Sequence, residues 1–353
     1  MKADIFLGET KVVFCETFFS FFEDLLKLSE PIVFITDHNV KELIGSSIQR
    51  LLQEKKRSVF LISIPPGEAS KSREIKEWIE NELFSIRFPK DGSIIALGGG
   101  VVCDMAGFVA STYMRGVSFY SIPTTLLAMV DASIGGKTGI NTSFGKNLLG
   151  SMYPARQVWI CPQFLESLPK REWLNGLSEI MKIGFTLDPE LLSLATKKMD
   201  QIVIFRSCLA KKQVVDEDYQ DRGKRRILQF GHTIGHALEK ISSYQLSHGE
   251  AVAKGMAIEG FLSYTLGYLS KNKWDSMREI LKSCGFSFQV DPKISFSQIQ
   301  ESLEMDKKGT DQRGRFVLLQ DFGVVVPFQG EYCTHVDDKV LCKAWEWLKS
   351  CPI

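Results

Sequence analysis

Three of the five histidines in the chain lie in one short stretch, QFGHTIGHALEKISSYQLSHGE, at positions 229–250. His232 and His236 are one turn apart in a segment whose apolar residues recur three and four apart, so both lie on one face of a predicted helix. His248 follows a short polar break and precedes a second helical pattern. Two antiparallel helices would bring His232 and His248 to one ion, and imidazole is a common zinc ligand. The stretch therefore predicts a metal or catalytic site.

Two other interpretations of these histidines compete with a metal site. The metalloprotease motif HExxH needs a glutamate directly after its first histidine, and Thr233 occupies that position. A single histidine is more often a packed or capping residue than a ligand. Three of them in so short a stretch favour a metal or catalytic site.

A carboxylate for the same ion is available in the helical stretch NGLSEIMKIGF. Glu179 lies there, with Lys182 three residues later on the same helix face. A Glu–Lys pair at this spacing is commonly a surface ion pair. In so apolar a stretch the pair would face the interior of the protein. Burying charged groups there is costly, so a pair in that position indicates a specific role. Glu179 is therefore the candidate third ligand.

The elements that must position these residues fall into two predicted domains. Short β-branched runs first alternate with amphipathic helices, which is typical of a parallel sheet with helices on both faces. The predicted strands are 32–36, 58–64, 93–100, 117–125 and 157–162. Helical patterns then dominate, at 163–186, 189–216, 226–242, 248–268, 272–284 and 337–350, with one hairpin at 315–328. We predict an α/β domain with a mainly parallel sheet at 1–161 and a mainly α-helical metal-binding domain at 162–353.

Residues at the predicted strand ends form a second candidate site, because ligands of such sheets bind beyond the carboxyl ends of the strands. These residues are Asp37, Gly67, Glu68, the segment 98–104, Thr124 and Thr125. The segment 98–104 reads GGGVVCD, and its glycines would let backbone N–H groups approach a pyrophosphate at a helix start. It does not supply the GxGxxG fingerprint, so a merely tight turn is the alternative.

The following stretch, 129–154, is rich in glycine and carries Asp131, Lys137, Lys146 and Asn147. We predict a long loop without secondary structure of its own, and such a loop in a compact domain is commonly functional. Its two lysines suit an anionic ligand. A flexible surface loop with solvated lysines is the alternative.

Further cations precede the histidine helix as two adjacent pairs, Lys211 with Lys212 and Arg225 with Arg226. Most of them could belong to a solvated face. If one member of each pair points inward, the site gains two cations for a phosphate or carboxylate.

Composition narrows the classes of partner. Lys plus Arg (43) nearly balances Asp plus Glu (42), for a net charge of +1, so no general basic field would draw nucleic acid or an anionic membrane. No apolar stretch is long enough to span a bilayer. The eight cysteines include no CxxC motif, which is typical of reduced thiols in a cytoplasmic protein. We expect a cytoplasmic protein that binds neither nucleic acid nor membrane.

Longer motifs follow one another along almost the whole chain: DHNV, PPGEASK, ALGGGVVCDMAGFVASTYMRG, IPTTLLAMVDASIGGKTGIN, GKNLLG, LPKREWLNGLSEIMK, GHTIGHALE, HGEAVAKGM and MDKKG. In this order and spacing they resemble the 3-dehydroquinate synthase family. The resemblance implies an NAD-binding α/β domain followed by a helical metal domain, usually in a homodimer, and a place in the shikimate route. It also implies zinc, with cobalt as an alternative, and a sugar-phosphate substrate.

The reaction implied by the resemblance converts 3-deoxy-D-arabino-heptulosonate 7-phosphate to 3-dehydroquinate and phosphate. It proceeds by transient oxidation with NAD, elimination of phosphate, re-reduction and intramolecular aldol closure, so that NAD is recycled. This is the work of a carbon–oxygen lyase.

The resemblance also implies roles for individual residues. The metal ligands would be Glu179, His232 and His248. The NAD contacts would be Asp37, Asn39, Glu68, Lys71, Gly99, Gly100, Val101, Asp104, Thr124, Thr125, Lys137, Lys146, Phe164 and Ser167. The substrate contacts would be Arg115, Lys146, Asn147, Lys211, Arg225, Gln229 and either Lys307 or Lys308. The catalytic residues would be His236, Lys182, Lys137 and Asp131, with His236 as the best candidate for proton transfer.

Three residues depart from the family pattern. Cys103 replaces a usual glycine, Gln229 a usual asparagine and Asp221 a usual glutamate. The Cys103 side chain would tighten the approach of the backbone to a pyrophosphate. The extra methylene of Gln229 would shift a hydrogen bond to the substrate. Gln229 therefore leaves another sugar-phosphate cyclase open. A metal-dependent polyol dehydrogenase of similar architecture and a catalytically silent binding protein are further alternatives.

Overall fold

A computed structural model describes residues 4–197, 200–305 and 314–351 of the chain. The chain divides into two compact units, Met1–Leu168 and Pro169–Ile353. The domain boundary predicted after residue 161 stays a prediction. It falls directly before a short 3-10 helix, Pro162–Ser167.

The first unit is built on a seven-stranded sheet with helices between its strands. Its elements are β1 (Asp4–Leu7), β2 (Thr10–Phe14), α1 (Phe19–Leu25), β3 (Ile32–Asp37), α2 (His38–Val40), α3 (Ser46–Glu54), β4 (Val59–Ile64), α4 (Arg73–Ser85), β5 (Ser93–Gly98), α5 (Gly100–Thr112), β6 (Ser118–Pro123), β7 (Lys137–Thr142), β8 (Gly145–Met152) and β9 (Gln157–Ile160). The strand order is β1-β2-β9-β6-β5-β3-β4. All neighbours pair in parallel except β1 with β2. The predicted α/β class is confirmed.

The central strands are apolar along their whole length because the sheet is covered on both faces. Every residue of β5, SIIALG, is buried, and so are the first five residues of β3. These strands form one core with α1 and α3, to which Phe21, Trp159 and Leu52 contribute. A rigid sheet of this kind holds its strand ends, and the residues that follow them, in fixed positions.

The stretch 129–154 corrects one prediction. We predicted a loop without secondary structure, but β7 and β8 pair there as an antiparallel hairpin, in a two-stranded sheet of their own. Gly139 and Gly150 lie opposite each other, and a Cβ on Gly150 would lie 2.0 Å from the carbonyl oxygen of Thr138. The glycines that indicated a loop therefore permit close pairing of the two strands.

The second unit is mainly helical, as predicted. Its elements are α6 (Lys170–Thr186), α7 (Glu190–Lys197), α8 (Gln201–Glu217), α9 (His232–Ile241), α10 (His248–Thr265), α11 (Lys271–Ser283), α12 (Phe296–Met305), β10 (Leu319–Asp321), β11 (Val324–Val325) and α13 (Asp338–Lys349). The predicted hairpin is present as β10 and β11. The central helices are α6 and α10, since residues 175–186 of α6 and residues 251–260 of α10 are buried without interruption.

Several predicted boundaries are wrong. The predicted helix 189–216 is two helices, α7 and α8, because Asp200 has an extended backbone and caps the start of α8. The third strand ends at Gly98 instead of residue 100, because Gly99 caps α5 and Gly100 begins it. Helix α6 begins at Lys170, after the 3-10 helix. The predicted helix 226–242 is broken at Gly231, whose φ of 80° is incompatible with a continuous right-handed helix.

Among the described residues, no helix combines the length and apolarity needed to cross a bilayer. All eight cysteines are free thiols, and Cys15, Cys103, Cys161, Cys208 and Cys333 are buried.

Candidate active site

The second unit brings together one carboxylate and two imidazoles from three helices. Glu179 of α6, His232 of α9 and His248 of α10 each offer one ligand atom, and these atoms lie within 4.8 Å of one another. Glu179 Oε1 is 3.1 Å from His248 Nε2 and 3.4 Å from His232 Nε2. These three side chains are the predicted metal ligands, and their Nε2 and carboxylate atoms converge on one point.

Glycines allow the three helices to approach closely enough for this convergence. A Cβ on Gly255 of α10 would lie 1.8 Å from the carbonyl oxygen of Gly231, the residue before His232. A Cβ on Gly249, the residue after His248, would lie 2.5 Å from the carbonyl oxygen of Leu174 in α6. No side chain fits at either contact without moving backbone.

The first turn of α10 is fixed by side-chain hydrogen bonds. Ser247 and Glu250 form a reciprocal capping box around the start of the helix. The amide of Gly249 donates to Asn175 Oδ1 at 2.7 Å, and Asn175 Nδ2 donates to Glu172 Oε2 at 3.1 Å. These bonds hold His248 in place relative to α6.

The second ring nitrogen of each imidazole also has a partner. His232 Nδ1 is 3.2 Å from the carbonyl oxygen of Phe230, which can only accept, so Nδ1 carries the proton and Nε2 keeps its lone pair. His248 Nδ1 lies 3.6 Å from Glu239 Oε1. Both Nε2 atoms are thus oriented as ligands.

The charges at this site perturb one another strongly. Glu179 is fully buried and its Oε2 contacts the Lys182 ammonium. Burial alone would raise the pKa of Glu179, but Lys182 and the imidazoles hold it well below its usual value. Burial alone would lower the pKa of His248, but Glu179 and Glu239 raise it to about 9. The buried Glu179–Lys182 pair therefore faces the interior of the unit.

The other candidate residues of the second unit are one histidine and two adjacent pairs of cations. His236 is half-buried, with its ring centroid 5.3 Å from that of His232. Lys211 and Arg225 are buried in elements that pack against α6. Their neighbours Lys212 and Arg226 instead pair with Asp216 and Glu331. One member of each pair therefore points inward.

The other substrate contacts predicted for the second unit are Gln229 and either Lys307 or Lys308. Gln229 is exposed at the end of a 3-10 helix, Lys224–Gln229. Lys307 and Lys308 lie outside the described residues.

The strand-end residues of the first unit surround the start of α5. The three glycines 98–100 lie against neighbouring residues, since a Cβ on Gly98 would meet Val102 at 2.7 Å and one on Gly99 would meet Thr125 at 3.0 Å. The first N–H groups of α5 have no intrahelical acceptor. The hydroxyl of Thr124, next to this turn, is buried and has no hydrogen-bond partner among the described residues. Such a group is expected where a ligand completes the hydrogen bonding.

A polar network next to α5 joins residues that are distant in sequence. Lys71, 4% exposed, contacts both Asp104 of α5 and Asn147 of β8. Burial alone would lower the pKa of Lys71, but Asp104 and Glu68 raise it. Burial raises the pKa of Asp104 despite the nearby ammonium.

Asn141 ties the hairpin into this network and was missed from the sequence. Its Nδ2 donates to Glu68 Oε1 at 2.7 Å, and its Oδ1 accepts from the amide of Asn147 at 3.0 Å. Its own amide donates to the carbonyl oxygen of Lys71. Only its place in the hairpin between Lys137 and Lys146 could have indicated it.

Other predicted cofactor contacts lie in or directly before two short helical elements. Asp37 caps α2 by accepting the amide of Val40 at 3.0 Å, and Asn39 is exposed. Phe164 packs against the core and Ser167 is exposed, both in the 3-10 helix Pro162–Ser167.

The remaining predicted residues are three cations and one acid. Arg115 and Lys137 are exposed, and Lys146 Nζ is 3.9 Å from Glu68. Asp131 is half-buried and raises the pKa of Asp104.

Cys103, one of the departures, lies between helix and sheet. Its thiol is 3.4 Å from Ser121 Oγ of β6 and 3.8 Å from the carbonyl oxygen of Gly98. Burial raises its pKa to about 12. The thiol therefore packs as a neutral core group.

Comparisons with known proteins decide the family. The family profiles described as 3-dehydroquinate synthase N-terminal and C-terminal match residues 61–175 and 176–309. The chain belongs to the 3-dehydroquinate synthase family. Curated 3-dehydroquinate synthases from Chlamydia caviae and Chlamydia muridarum are each 38% identical to it, covering 96% and 88% of this chain and 95% and 88% of theirs. That of Rippkaea orientalis is 37% identical over 85% of this chain and 86% of its own.

Solved structures show the same architecture. A 2-epi-5-epi-valiolone synthase from Streptomyces hygroscopicus, solved with NAD+ and Zn2+ bound, aligns with a TM-score of 0.87 at 26% identity, covering 96% of each chain. A 2-deoxy-scyllo-inosose synthase aligns with a TM-score of 0.86 at 22% identity over 97% of this chain and 98% of its own. A glycerol dehydrogenase from Schizosaccharomyces pombe aligns at 0.61 and 14%, covering 99% of this chain and 91% of its own. The last two likenesses establish the fold alone.

Proposed function

We propose that the protein is a 3-dehydroquinate synthase that converts 3-deoxy-D-arabino-heptulosonate 7-phosphate to 3-dehydroquinate and phosphate. The observation that carries the proposal is the convergence of Glu179, His232 and His248 in a chain that belongs to this family. One carboxylate with two imidazoles is a ligand set of catalytic zinc sites, which keep a further position open for substrate.

The donor atoms fit a divalent metal ion, zinc or alternatively cobalt. Both Nε2 atoms face the Glu179 carboxylate, and each Nδ1 has an acceptor on its other side. When bound, the metal ion would lower the pKa of a substrate hydroxyl and so favour its oxidation at neutral pH. Lys182 would keep Glu179 ionised, and its ammonium would attract an anionic substrate.

The start of α5 fits the pyrophosphate of NAD, which would accept the hydride and return it within one turnover. Helix N-termini bind such anions because their N–H groups and dipole point toward the ligand. The unsatisfied Thr124 hydroxyl supports a ligand here. We assign NAD binding to Asp37, Asn39, Glu68, Lys71, Gly99, Gly100, Val101, Asp104, Thr124, Thr125, Lys137, Lys146, Phe164 and Ser167.

The cations and the third histidine would handle the substrate. We assign binding of its phosphate and carboxylate to Arg115, Lys146, Asn147, Lys211, Arg225, Gln229 and either Lys307 or Lys308, because fixed cations and amides hold such groups in the reacting geometry. His236, one turn from His232, would move the proton that accompanies elimination or ring opening. Lys182, Lys137 and Asp131 would complete the catalytic residues.

A related sugar-phosphate cyclase is the second candidate. The likeness to the valiolone synthase and the presence of Gln229 support it. Classification as a carbon–oxygen lyase, a homodimeric assembly and a cytoplasmic location are further parts of the proposal.

The test is phosphate release from 3-deoxy-D-arabino-heptulosonate 7-phosphate by zinc-loaded protein, with and without NAD, while absorbance of NADH is followed. We expect release that requires both metal and NAD, without net NADH. Net NADH from a simple polyol would instead identify a dehydrogenase. No release from folded, metal-bound protein would favour another sugar phosphate, and Gln229→Asn would then be the next variant.

A further inference from the structure

Glu239 is a buried carboxylate that the proposed reaction does not use. It is 2% exposed and lies on α9, three residues after His236 and seven after His232, hence on the same helix face. Its Oε1 is 3.6 Å from His248 Nδ1. Since His248 Nε2 is 3.1 Å from Glu179, the imidazole of His248 lies between two carboxylates, one at each ring nitrogen.

The two imidazoles differ in what holds their second nitrogen. His232 faces the neutral carbonyl oxygen of Phe230, whereas His248 faces the charged Glu239. A carboxylate that accepts the Nδ1 proton fixes the tautomer and the ring orientation, and it makes Nε2 a stronger donor. Burying a carboxylate is costly unless it is paired. The contact of Glu239 Oε1 with His248 therefore pairs the buried carboxylate with an imidazole and orients that imidazole.

The contact also links two helices. Glu239 lies near the end of α9, and His248 is the first residue of α10. Only a polar break separates the helices, so nothing in local sequence sets the rotation of the His248 ring. The capping box fixes the backbone of His248, and Glu239 fixes its side chain.

We propose that Glu239 is a positioning residue of the metal site, which holds the Nδ1 proton of His248 so that its Nε2 lone pair faces the ion. The inference rests on the proposed metal site and adds to it a residue that sets affinity. It predicts that loss of the Glu239 carboxylate weakens metal binding while all three ligands remain.

The experiment compares zinc affinity in the full chain by competition with a chromophoric chelator. We expect Glu239→Ala to bind zinc about 10- to 100-fold more weakly than the parent protein. Glu239→Gln keeps an acceptor oxygen but not the charge, so its affinity should be intermediate. The matched control is Glu259→Gln, which changes another fully buried carboxyl of the same unit, one that faces backbone amides of Gly231 and Val317. It should bind zinc like the parent.

A second readout separates positioning from a general structural effect. With five histidines in the chain, nitrogen NMR of zinc-loaded protein can follow the protonated Nδ1 of His248, and its shift should change in Glu239→Gln. If Glu239→Ala does not fold, the comparison of Glu239→Gln with the parent protein tests the inference. Parental zinc affinity together with an unchanged Nδ1 signal in Glu239→Gln would overturn the inference.

The outcomes also separate this inference from the proposed function. Tight zinc binding by the parent that is weakened in the variants supports the positioning role, even if no phosphate is released from the heptulosonate phosphate. If the parent releases phosphate and the Glu239 variants bind zinc as tightly as the parent, the proposed function is supported. The positioning role of Glu239 is then overturned. A parent chain that binds no zinc overturns both.

Discussion

At the scale of single residues, the site depends on which atom of each side chain faces inward. Glu179 carries the negative charge nearest to both ring Nε2 atoms, and Lys182 keeps it ionised. His236 belongs to the same helix face as His232, yet it is not among the three groups whose ligand atoms converge. The neighbouring histidines should therefore respond differently to substitution.

The first prediction contrasts His248→Ala with His236→Ala. His248→Ala should lose metal and activity together, because two remaining ligands bind zinc poorly. His236→Ala should keep a full equivalent of metal and lose about 10²- to 10⁴-fold in kcat, the usual contribution of a proton-transfer group. Metal analysis and steady-state phosphate release check both.

Glu179→Ala is expected to resemble His248→Ala, but it also leaves the buried Lys182 without its carboxylate, so His248→Ala is the cleaner variant. Full zinc in His248→Ala would remove it from the ligand set. Parental turnover in His236→Ala would remove its proton-transfer role.

At the scale of elements, the crossing of α9 and α10 sets the distance between the two imidazoles. The backbones meet at Gly231 and Gly255, and the positive φ of Gly231 ends the preceding 3-10 segment so that α9 can begin at His232. The ring centroids of His232 and His248 are then 5.5 Å apart. A wider crossing would separate the ligands.

The second prediction concerns Gly255→Ala. Its Cβ would lie 1.8 Å from the Gly231 carbonyl oxygen and 3.0 Å from the Gly235 nitrogen, both of which are backbone atoms. We expect a loss of about 1–3 kcal/mol in the free energy of unfolding, as for other overpacked cores, together with weaker zinc binding. Urea unfolding and chelator competition measure the two effects.

Gly45→Ala is the control for helix propensity, since Gly45 is also helical. Its Cβ would come closest to the tip of the Leu61 side chain, at 3.2 Å, and would lie at ordinary contact distance, 3.5 Å, from the backbone oxygen of Val40. Alanine is favoured over glycine in helices by about 1 kcal/mol. A Gly255→Ala protein as stable as Gly45→Ala would contradict the close crossing.

At the scale of the whole molecule, the net charge is close to zero, yet each unit buries charged side chains. Lys71 and Asp104 pair in the first unit, and Glu179, Lys182 and Glu239 belong to the metal site in the second. Glu259 of α10 is also fully buried, but neither of its oxygens has a partner at full hydrogen-bond geometry among the described residues. The backbone amides of Gly231 and Val317 lie near it and act to lower its pKa. Burial nevertheless raises the pKa of Glu259 well above 4.5.

The third prediction is a pH dependence of stability that Glu259 causes. Because its pKa is raised in the folded state, the folded protein binds the proton more tightly, and its stability falls as pH rises above the unfolded value, about 4.5. Glu259→Gln keeps the size and cannot ionise. Its thermal midpoint should therefore match that of the parent near pH 4.5 and exceed it increasingly toward pH 8. A variant that is less stable at every pH would show that the carboxylate is ionised and stabilised by the two amides.

Much of the architecture could be predicted from local pattern. The parallel strands followed from short β-branched runs such as IVFIT, and the helical second unit followed from apolar periodicity. The β7–β8 hairpin was missed because its glycines resemble those of a loop until the partner strand is known. The break at Gly231 was missed because helical periodicity continues across it.

The sequence by itself determined the family, the fold class and the residue types of the metal site, because long motifs and helical spacing are local properties of the chain. Tertiary structure alone decided that Glu239 faces His248, that Asn141 joins Glu68 to Asn147, and that Asn175 anchors the start of α10. These contacts join different elements, and several span tens of residues. Their geometry depends on how closely the helices and strands pack, which no local pattern specifies.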